Sequence, residues 1–330
     1  MNWLITGGCG FIGANLVHYL SENGEGPIRV LDNLSVGTRE NLARVTDFTE
    51  TALGDLHSLE TLDGSGIGVE LVVGDILDEN VAKEATAEVD VIVHLAANTG
   101  VAPSVEDPRH DCMTNVVGTL NMLEAARHNN VDRFVLASSG APIGEVEPPI
   151  HEELAPHPKS PYGASKLAGE GYCSAYHGSF GLETVALRFG NVYGPRSTHK
   201  SSVVAKFIRR ALQGKTLEIY GDGQQTRDFV YTEDLLRAIV RSAHSKEDVC
   251  GEVFQIATNS ETTVNELVDE MVPVLKEAGV QDVEVTHTEP RVGDVRRNYS
   301  DTSKAAELLG WEAEVSLREG LRRTVRWFVD

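Results

Sequence analysis

A chain of 330 residues with 41% hydrophobic and 24% charged residues has the composition of a soluble globular protein, long enough for one large domain or two modest ones. Its 50 Asp and Glu against 29 Lys and Arg give a formal net charge of −21, which excludes nucleic-acid backbone and anionic membrane as natural partners and fits either a salty habitat or simply a soluble surface. No apolar run reaches bilayer length, a strand begins almost at once with no room for a signal peptide, and Cys9, Cys112, Cys173 and Cys250 lie too far apart for a metal site; the expectation is a cytoplasmic protein with reduced thiols and no metal, a disulfide pair being the alternative.

Residues 2–6 read as a short buried strand. The segment Gly7-Gly8-Cys9-Gly10-Phe11-Ile12-Gly13 follows, and then a helix with Leu16, Val17 and Leu20 on one side. Gly7, Gly10 and Gly13 suit a tight turn in which backbone N–H groups approach a pyrophosphate and helix packs on strand. Such glycine patterns also occur in ordinary turns; a strand before and a helix after are what make this one a dinucleotide loop. A second strand, 28–31, ends at Asp32-Asn33. Asp32 stands 19 positions after Gly13, where an acid accepts hydrogen bonds from the adenine ribose and repels a 2′-phosphate, which favours NAD over NADP. The plainer reading of Asp32 is a turn or cap residue.

A third strand, Glu70 to Asp75, brings Asp75 to the adenine end, with Ile76 next. A fourth, Asp90 to Ala97, carries His94 as a packed core residue and ends in Ala96 and Ala97, whose small side chains let a cofactor lie against the strand end. Residues 112–128 read as a long helix bearing Asn115 and Gly118, and Arg133 to Ser139 as a fifth strand delivering Ser138 and Ser139 to the same sheet edge. In Ser160-Pro161-Tyr162-Gly163-Ala164-Ser165-Lys166, Ser160 caps a helix and Pro161 opens it. Tyr162 and Lys166 then share one helical face. A free phenol titrates near ~10, and an ammonium beside it favours phenolate, making Tyr162 a general base. The bland alternative is an interfacial Tyr and a solvated Lys. Glu183 to Arg188 is a sixth strand.

This alternation predicts a Rossmann-like α/β fold, a doubly wound parallel sheet with a smaller C-terminal substrate-binding domain, ligands binding at the strands' carboxyl ends. Beyond residue 191 the pattern loosens into loops and a helix near 202–213. Residues 227–257 read as a return to the sheet, through Asp228 to Tyr231, a helix from Asp234 and a strand at Val253 to Ile256. Two further helices, 263–277 and 302–309, precede a tail. The expected domains are 1–190 plus 227–258 for NAD, and 191–226 plus 259–330 for the substrate.

Together these pieces resemble the extended short-chain dehydrogenase/reductase family over nearly the whole chain: Thr6 to Gly13, Leu31-Asp-Asn-Leu34, Gly74-Asp-Ile76, His94-Leu-Ala-Ala97, the set Ser139, Tyr162 and Lys166, and Gly223-x-Gln-x-Arg-Asp-Phe-x-Tyr231. Within it, Leu187 to Arg196 and Arg291-Val-Gly-Asp294 look most like nucleotide-sugar epimerases of the UDP-glucose 4-epimerase type. The resemblance implies tightly bound NAD, held by Gly7, Gly10, Phe11, Ile12, Gly13, Asp32, Asn33, Asp75, Ile76, Leu95, Ala96, Ala97, Asn115, Tyr162 and Lys166. It implies that Tyr162, assisted by Ser139, takes the proton of the sugar 4-hydroxyl, that Lys166 bonds the nicotinamide ribose, and that hydride leaves C4 and returns to the opposite face after the 4-keto sugar rotates. Arg227 and Arg291 would clamp the pyrophosphate, or else serve as surface ion pairs, and Asn191, Asp294 and Asn298 would contact the substrate. The helices at 112–128 and 160–177 would pair into a four-helix homodimer interface.

Ile143 stands where relatives usually carry a pocket-lining Tyr, and Gly190 and Asn298 stand where bulkier residues are common, which suggests room for an N-acetylated sugar. UDP-glucuronate is another candidate, its carboxylate meeting Arg196, His199 or Lys200. A 4,6-dehydratase needs an acid pair directly after the catalytic hydroxyl, and Gly140 and Ala141 stand there instead. A decarboxylase, a ketoreductase and a non-catalytic NAD-binding regulator complete the alternatives.

Overall fold

The computed structural model describes residues 1–59, 62, 68–198, 202–245, 249–290 and 295–330. Its contacts divide the chain into two compact units, one of residues 1–144, 155–188 and 238–254, the other of 145–154, 189–237 and 255–330.

The first unit is built on strands β1 (Trp3–Thr6), β2 (Ile28–Asp32), β3 (Thr49–Thr51), β4 (Val69–Val73), β5 (Val91–His94), β6 (Arg133–Ser139) and β7 (Glu183–Phe189). Between them run helices α1 (Phe11–Glu22), α2 (Arg39–Ala43), α3 (Glu79–Ala85), α4 (Val101–Glu106), α5 (Pro108–Cys112), α6 (Gly118–His128) and α7 (Pro161–Phe180). β1 and β5 are buried at every position, as expected of strands covered on both faces. β1 pairs parallel with both β2 and β5, so successive strands spread to either side of it and the order reverses there. A crevice opens at the carboxyl ends of the strands at such a reversal. Leu4, Ile92, Phe134, Leu136, Met122 and Leu123 lie in the core beneath it.

The remaining elements are β8 (Asn191–Tyr193), α8 (Val203–Leu212), β9 (Leu217–Tyr220), β10 (Thr226–Arg227), β11 (Phe229–Tyr231), α9 (Thr232–His244), β12 (Glu252–Ile256), β13 (Thr262–Thr263), α10 (Val264–Glu277), β14 (Val285–Thr288), α11 (Ser303–Leu309) and α12 (Leu317–Val329). β12 is the eighth strand of the large sheet, whose order is β12-β7-β6-β5-β1-β2-β4-β3. The segment Asp228 to Tyr231 does not return to that sheet as the sequence suggested. β11 pairs with β8 in a two-stranded sheet of its own, and the buried Asp228 carboxylate turns the chain there by accepting from the Thr258 N–H at 2.7 Å, the Thr258 hydroxyl at 2.6 Å and the Ser300 N–H at 3.3 Å. Phe207, Ile208, Phe229, Leu267, Met271, Leu321 and Val325 form the second unit's core.

Several elements escaped the sequence reading, α2, α3, α4, β3, β14 and α12 among them. α2 and β3 are too short to show a period, and α12 buries only Gly320, Leu321, Thr324 and Val325 among arginines and glutamates, too thin a stripe to announce a helix. The helix expected at 112–128 is interrupted: α5 passes into α6 through a single π-helical turn, Met113–Val117, which carries Asn115. None of the four cysteines is in a disulfide.

Candidate active site

β1 ends at Thr6, and the chain turns back at once. Gly7 takes φ +70°, a conformation that favours glycine. Its N–H donates to Leu31 O at 2.8 Å and its carbonyl accepts from the Gly10 N–H at 3.1 Å. A Cβ at Gly7 would fall 2.9 Å from Ala96 N, and one at Gly13 would fall 2.3 Å from Gly7 O. The loop is therefore packed to backbone contact, and α1 starts from it at Phe11 and Ile12 with Gly10 as N-cap. A helix N-terminus reached through such a loop is an anion site.

Asp32, 7% exposed, closes the next side. Its carboxylate accepts from the Cys9 N–H at 2.9 Å and the Leu34 N–H at 2.8 Å. Burial raises its affinity for a proton and the two N–H bonds oppose that. The carboxylate keeps lone-pair capacity for a diol, so the cradle fits a dinucleotide ending in an unphosphorylated ribose. Asp32→Asn is expected to narrow the preference for NAD over NADP by about 100-fold, the worth of one charge-assisted bond, ~3 kcal/mol; binding of both cofactors to cofactor-stripped protein measures it. An unchanged ratio would reduce Asp32 to a clamp on the glycine loop.

Asn33 donates to Asp75 at 3.0 Å, and Asp75 caps its own turn at the Leu77 N–H, 2.9 Å away. Ile76 is 5% exposed. At the end of β5, Leu95 N–H reaches Thr6 O at 3.2 Å and Ala96 N–H reaches the Thr6 hydroxyl at 3.1 Å, and Ala97 follows. His94 is the core residue expected: its ring lies between the Thr6 and Thr119 hydroxyls at 2.8 and 3.1 Å, and burial drives its pKa down to about 3. Asn115 is 2% exposed and spends its amide internally, on both backbone groups of Asn98, on Asp111 at 3.0 Å and on Ser165 at 3.1 Å.

Ser160 caps α7 through the Gly163 N–H at 3.1 Å, with Pro161 next. Tyr162 thus stands in the first turn, half-buried, its phenol hydrogen-bonded to Ser139 at the end of β6. Lys166 stands one turn on, its Nζ 6.0 Å from the Tyr162 ring centre and donating to Ala137 O at 2.8 Å. Burial pushes Lys166 down to about 8, with Asp111 and Glu170 opposing. Burial also raises the Tyr162 pKa; the Ser139 bond opposes this and Asp111 adds to it. In the protein alone desolvation wins, so the phenol holds its proton more tightly than the sequence argument supposed.

The second unit holds the other sequence candidates. Asn191 opens β8, exposed, its N–H on Asp228 O at 2.8 Å. Arg227 donates through Nη1 to Thr226 O at 2.6 Å and Val295 O at 2.7 Å, which fixes its guanidinium. Asn298 is half-buried, its N–H on the Thr226 hydroxyl at 3.2 Å. Arg196 is half-buried with φ +66°. Arg291, Asp294, His199 and Lys200 lie outside the described residues.

Two specificity expectations change. Ile143 is 0% exposed, a core residue rather than a wall of a pocket. A Cβ on Gly190 would meet Asp228 O at 3.1 Å and Ala257 Cβ at 3.2 Å, so glycine admits neighbouring protein there and opens no space for a sugar. The sequence reading also missed Asp111, Glu170 and Arg188, all buried around Lys166 or its neighbours. The available signal was spacing: Glu170 follows Lys166, and Asp111 precedes Asn115, by one helical turn.

Residues 3–257 match the profile of the NAD dependent epimerase/dehydratase family. A putative UDP-glucose 4-epimerase of Methanocaldococcus jannaschii is 38% identical over 329 residues, covering 98% of this chain and 97% of that protein. Among solved structures, a UDP-glucose 4-epimerase of Thermotoga maritima with UDP-glucose superposes with a TM-score of 0.85 at 38% identity, covering 99% of this chain and 98% of that one. A UDP-N-acetylglucosamine 4-epimerase of Methanobrevibacter ruminantium also reaches 0.85, at 32% identity, with 99% and 98% covered. UDP-glucuronate 4-epimerases and dTDP-glucose 4,6-dehydratases are found among relatives at 30–31% identity. On family profile, sequence and fold alike, the chain belongs to the NAD-dependent epimerase/dehydratase family of nucleotide-sugar enzymes.

Proposed function

We propose that this protein is a UDP-sugar 4-epimerase that interconverts UDP-glucose and UDP-galactose. One observation carries the reading: Ser139, Tyr162 and Lys166 are assembled at the end of β6 and the start of α7, while Gly140 and Ala141 supply none of the acids that elimination of water would need. That leaves a site equipped to take one proton from a hydroxyl and give it back.

The residues that would hold NAD are the Gly7–Gly13 loop with Phe11 and Ile12, Asp32, Asn33, Asp75, Ile76, Leu95, Ala96, Ala97, Asn115, Tyr162 and Lys166. Bound there, NAD would supply the hydride acceptor and donor for C4 of the sugar. Tyr162 moves the 4-hydroxyl proton, with Ser139 holding the substrate oxygen and the phenol in one hydrogen-bonded line. Lys166, anchored on Ala137 O, keeps a positive charge behind Tyr162 and favours its ionised form. In the second unit, Arg227, Asn191 and Asn298 would bind the UDP-sugar, with Arg291 and Asp294 assigned there by motif alone.

The exposed apolar side chains of Val105 on α4, Met113 in the π turn, and Tyr172 and Phe180 on α7 suit a homodimer built on these helices. A cytoplasmic location accords with a nucleotide-sugar substrate.

Purified protein, without added cofactor, is to be incubated separately with UDP-glucose, UDP-N-acetylglucosamine and UDP-glucuronate, and the 4-epimers followed by proton NMR. Conversion of UDP-glucose is the expected result. Conversion of UDP-glucuronate alone would replace the substrate. Conversion of none, with NAD shown to be bound, would move the function to a dehydratase or a non-catalytic role.

A further inference from the structure

Behind Lys166 lies a second set of buried charges that the proposed chemistry does not use. Glu170 is one turn beyond Lys166 and two beyond Tyr162, on the same face of α7. It is 4% exposed, and Arg188 on β7 is 5% exposed. The two meet in a bidentate pair, Arg188 Nε to Glu170 Oε1 at 2.9 Å and Nη2 to Oε2 at 2.7 Å. Ser138 on β6 adds its hydroxyl to Oε1 at 2.5 Å. Ser138 stands between Ala137, whose carbonyl takes the Lys166 ammonium, and Ser139, which bonds Tyr162. One carboxylate therefore ties α7, β6 and β7 together at the level of the site.

We infer that Glu170 and Arg188 are positioning residues for Ser139, Tyr162 and Lys166, a charge-neutral buried clamp that sets the register of α7 on β6 and the charge balance behind the phenol. A buried ion pair is poor value as packing, because well-fitted apolar side chains usually stabilise as much. Arg188 Nη1 is buried without a hydrogen-bond partner among the described residues, which marks a pair not optimised for stability. Its neutrality is what the site needs. The other groups facing the Tyr162–Lys166 pair are Asp111 from α5, Cys173 from α7 and the neutral His94 from β5. With Glu170 and Arg188 cancelling, the ammonium of Lys166 faces the single uncompensated carboxylate of Asp111 among these groups, and one proton decides the charge of the cluster.

This inference rests on the reading of Tyr162 as the proton-transfer group, and its test separates the two. Glu170→Gln leaves the Arg188 charge uncompensated and favours phenolate. Arg188→Gln leaves the Glu170 charge and opposes it. The readouts are the pH dependence of kcat and the tyrosinate ultraviolet difference titration with the Tyr162→Phe background subtracted, the second of which needs no turnover. Glu170→Gln is expected to move both midpoints to lower pH by about one unit, and Arg188→Gln to move them up by about as much, with KM little changed. Circular dichroism reports folding; if one variant does not fold, the direction of the other decides. A fall in kcat with unmoved midpoints, or shifts in the same direction, would reduce the pair to packing and overturn the inference. Full activity in Tyr162→Phe would instead overturn the role of Tyr162.

Discussion

Tyr162→Phe is expected to lower kcat by about 10³-fold, within the range for loss of a positioned proton-transfer group, while NAD content, KM and fold stay near those of the parent. The substitution removes a single oxygen. The ring keeps its place in the first turn of α7, where Ser160 and Pro161 fix the helix start independently of the phenol. Ser139 loses its phenol partner, but its Oγ still accepts from the Ala141 N–H at 3.2 Å, so the strand end is held. What disappears is the group that moves the proton. Turnover measured by production of UDP-galactose, together with NAD released on denaturation, separates loss of chemistry from loss of cofactor. A variant within about tenfold of the parent would mean that the proton leaves by another route; a variant that had lost NAD would make Tyr162 a cofactor residue first.

Gly13→Ala is expected to abolish cofactor retention. Its Cβ would fall 2.3 Å from Gly7 O and 2.5 Å from Gly8 Cα. Both obstacles are backbone, so no side chain can swing aside, and the loop must open or α1 must retreat from β1. Overpacking of this kind costs ~1–3 kcal/mol, and here the strain falls on the peptide groups that would bind the pyrophosphate under the proposed function. Gly10→Ala makes the milder comparison within the same loop: its Cβ would meet only Gly7 O, at a tight 3.2 Å that a shift of a few tenths of an ångström relieves, and Gly10 has φ −80°, open to any residue. The protein is expected to purify without NAD for Gly13→Ala and with most of it for Gly10→Ala, as read by absorbance after denaturation. Equal NAD in both would show that the close approach at Gly13 is not what shapes the cradle.

The parts legible in the sequence were those set by local rules. Strand, glycine turn and helix at residues 3–22 follow from burial and backbone freedom within a short span, and so does the cap at Ser160 that brings Tyr162 and Lys166 onto one face. Long-range pairing was not legible. Residues 229–231 have the composition of a sheet strand, yet they pair with 191–193 because Asp228 is anchored on Thr258 and Ser300, distant in sequence. The net proton affinity of Tyr162 was not legible for a related reason. The helical spacing shows the nearby ammonium, but not the burial that outweighs it or the Asp111 carboxylate brought up from α5. Glu170 lay in plain sight at helical spacing, and only its partner on β7 shows that it is a buried clamp rather than a solvated acid. Ile143 and Gly190 read as pocket residues by position, but Ile143 is fully buried and Gly190 lies close against Asp228 and Ala257.

The central claim is that hydrogen leaves C4 of the sugar and returns to the same carbon within one protein molecule. UDP-glucose carrying deuterium at C4, converted in ordinary water by the purified protein with no added cofactor, tests it most directly. The expected result is UDP-galactose that keeps the deuterium at C4, read by mass spectrometry and proton NMR. Product that has lost the deuterium to solvent would contradict it, because the hydrogen would then have left as a proton.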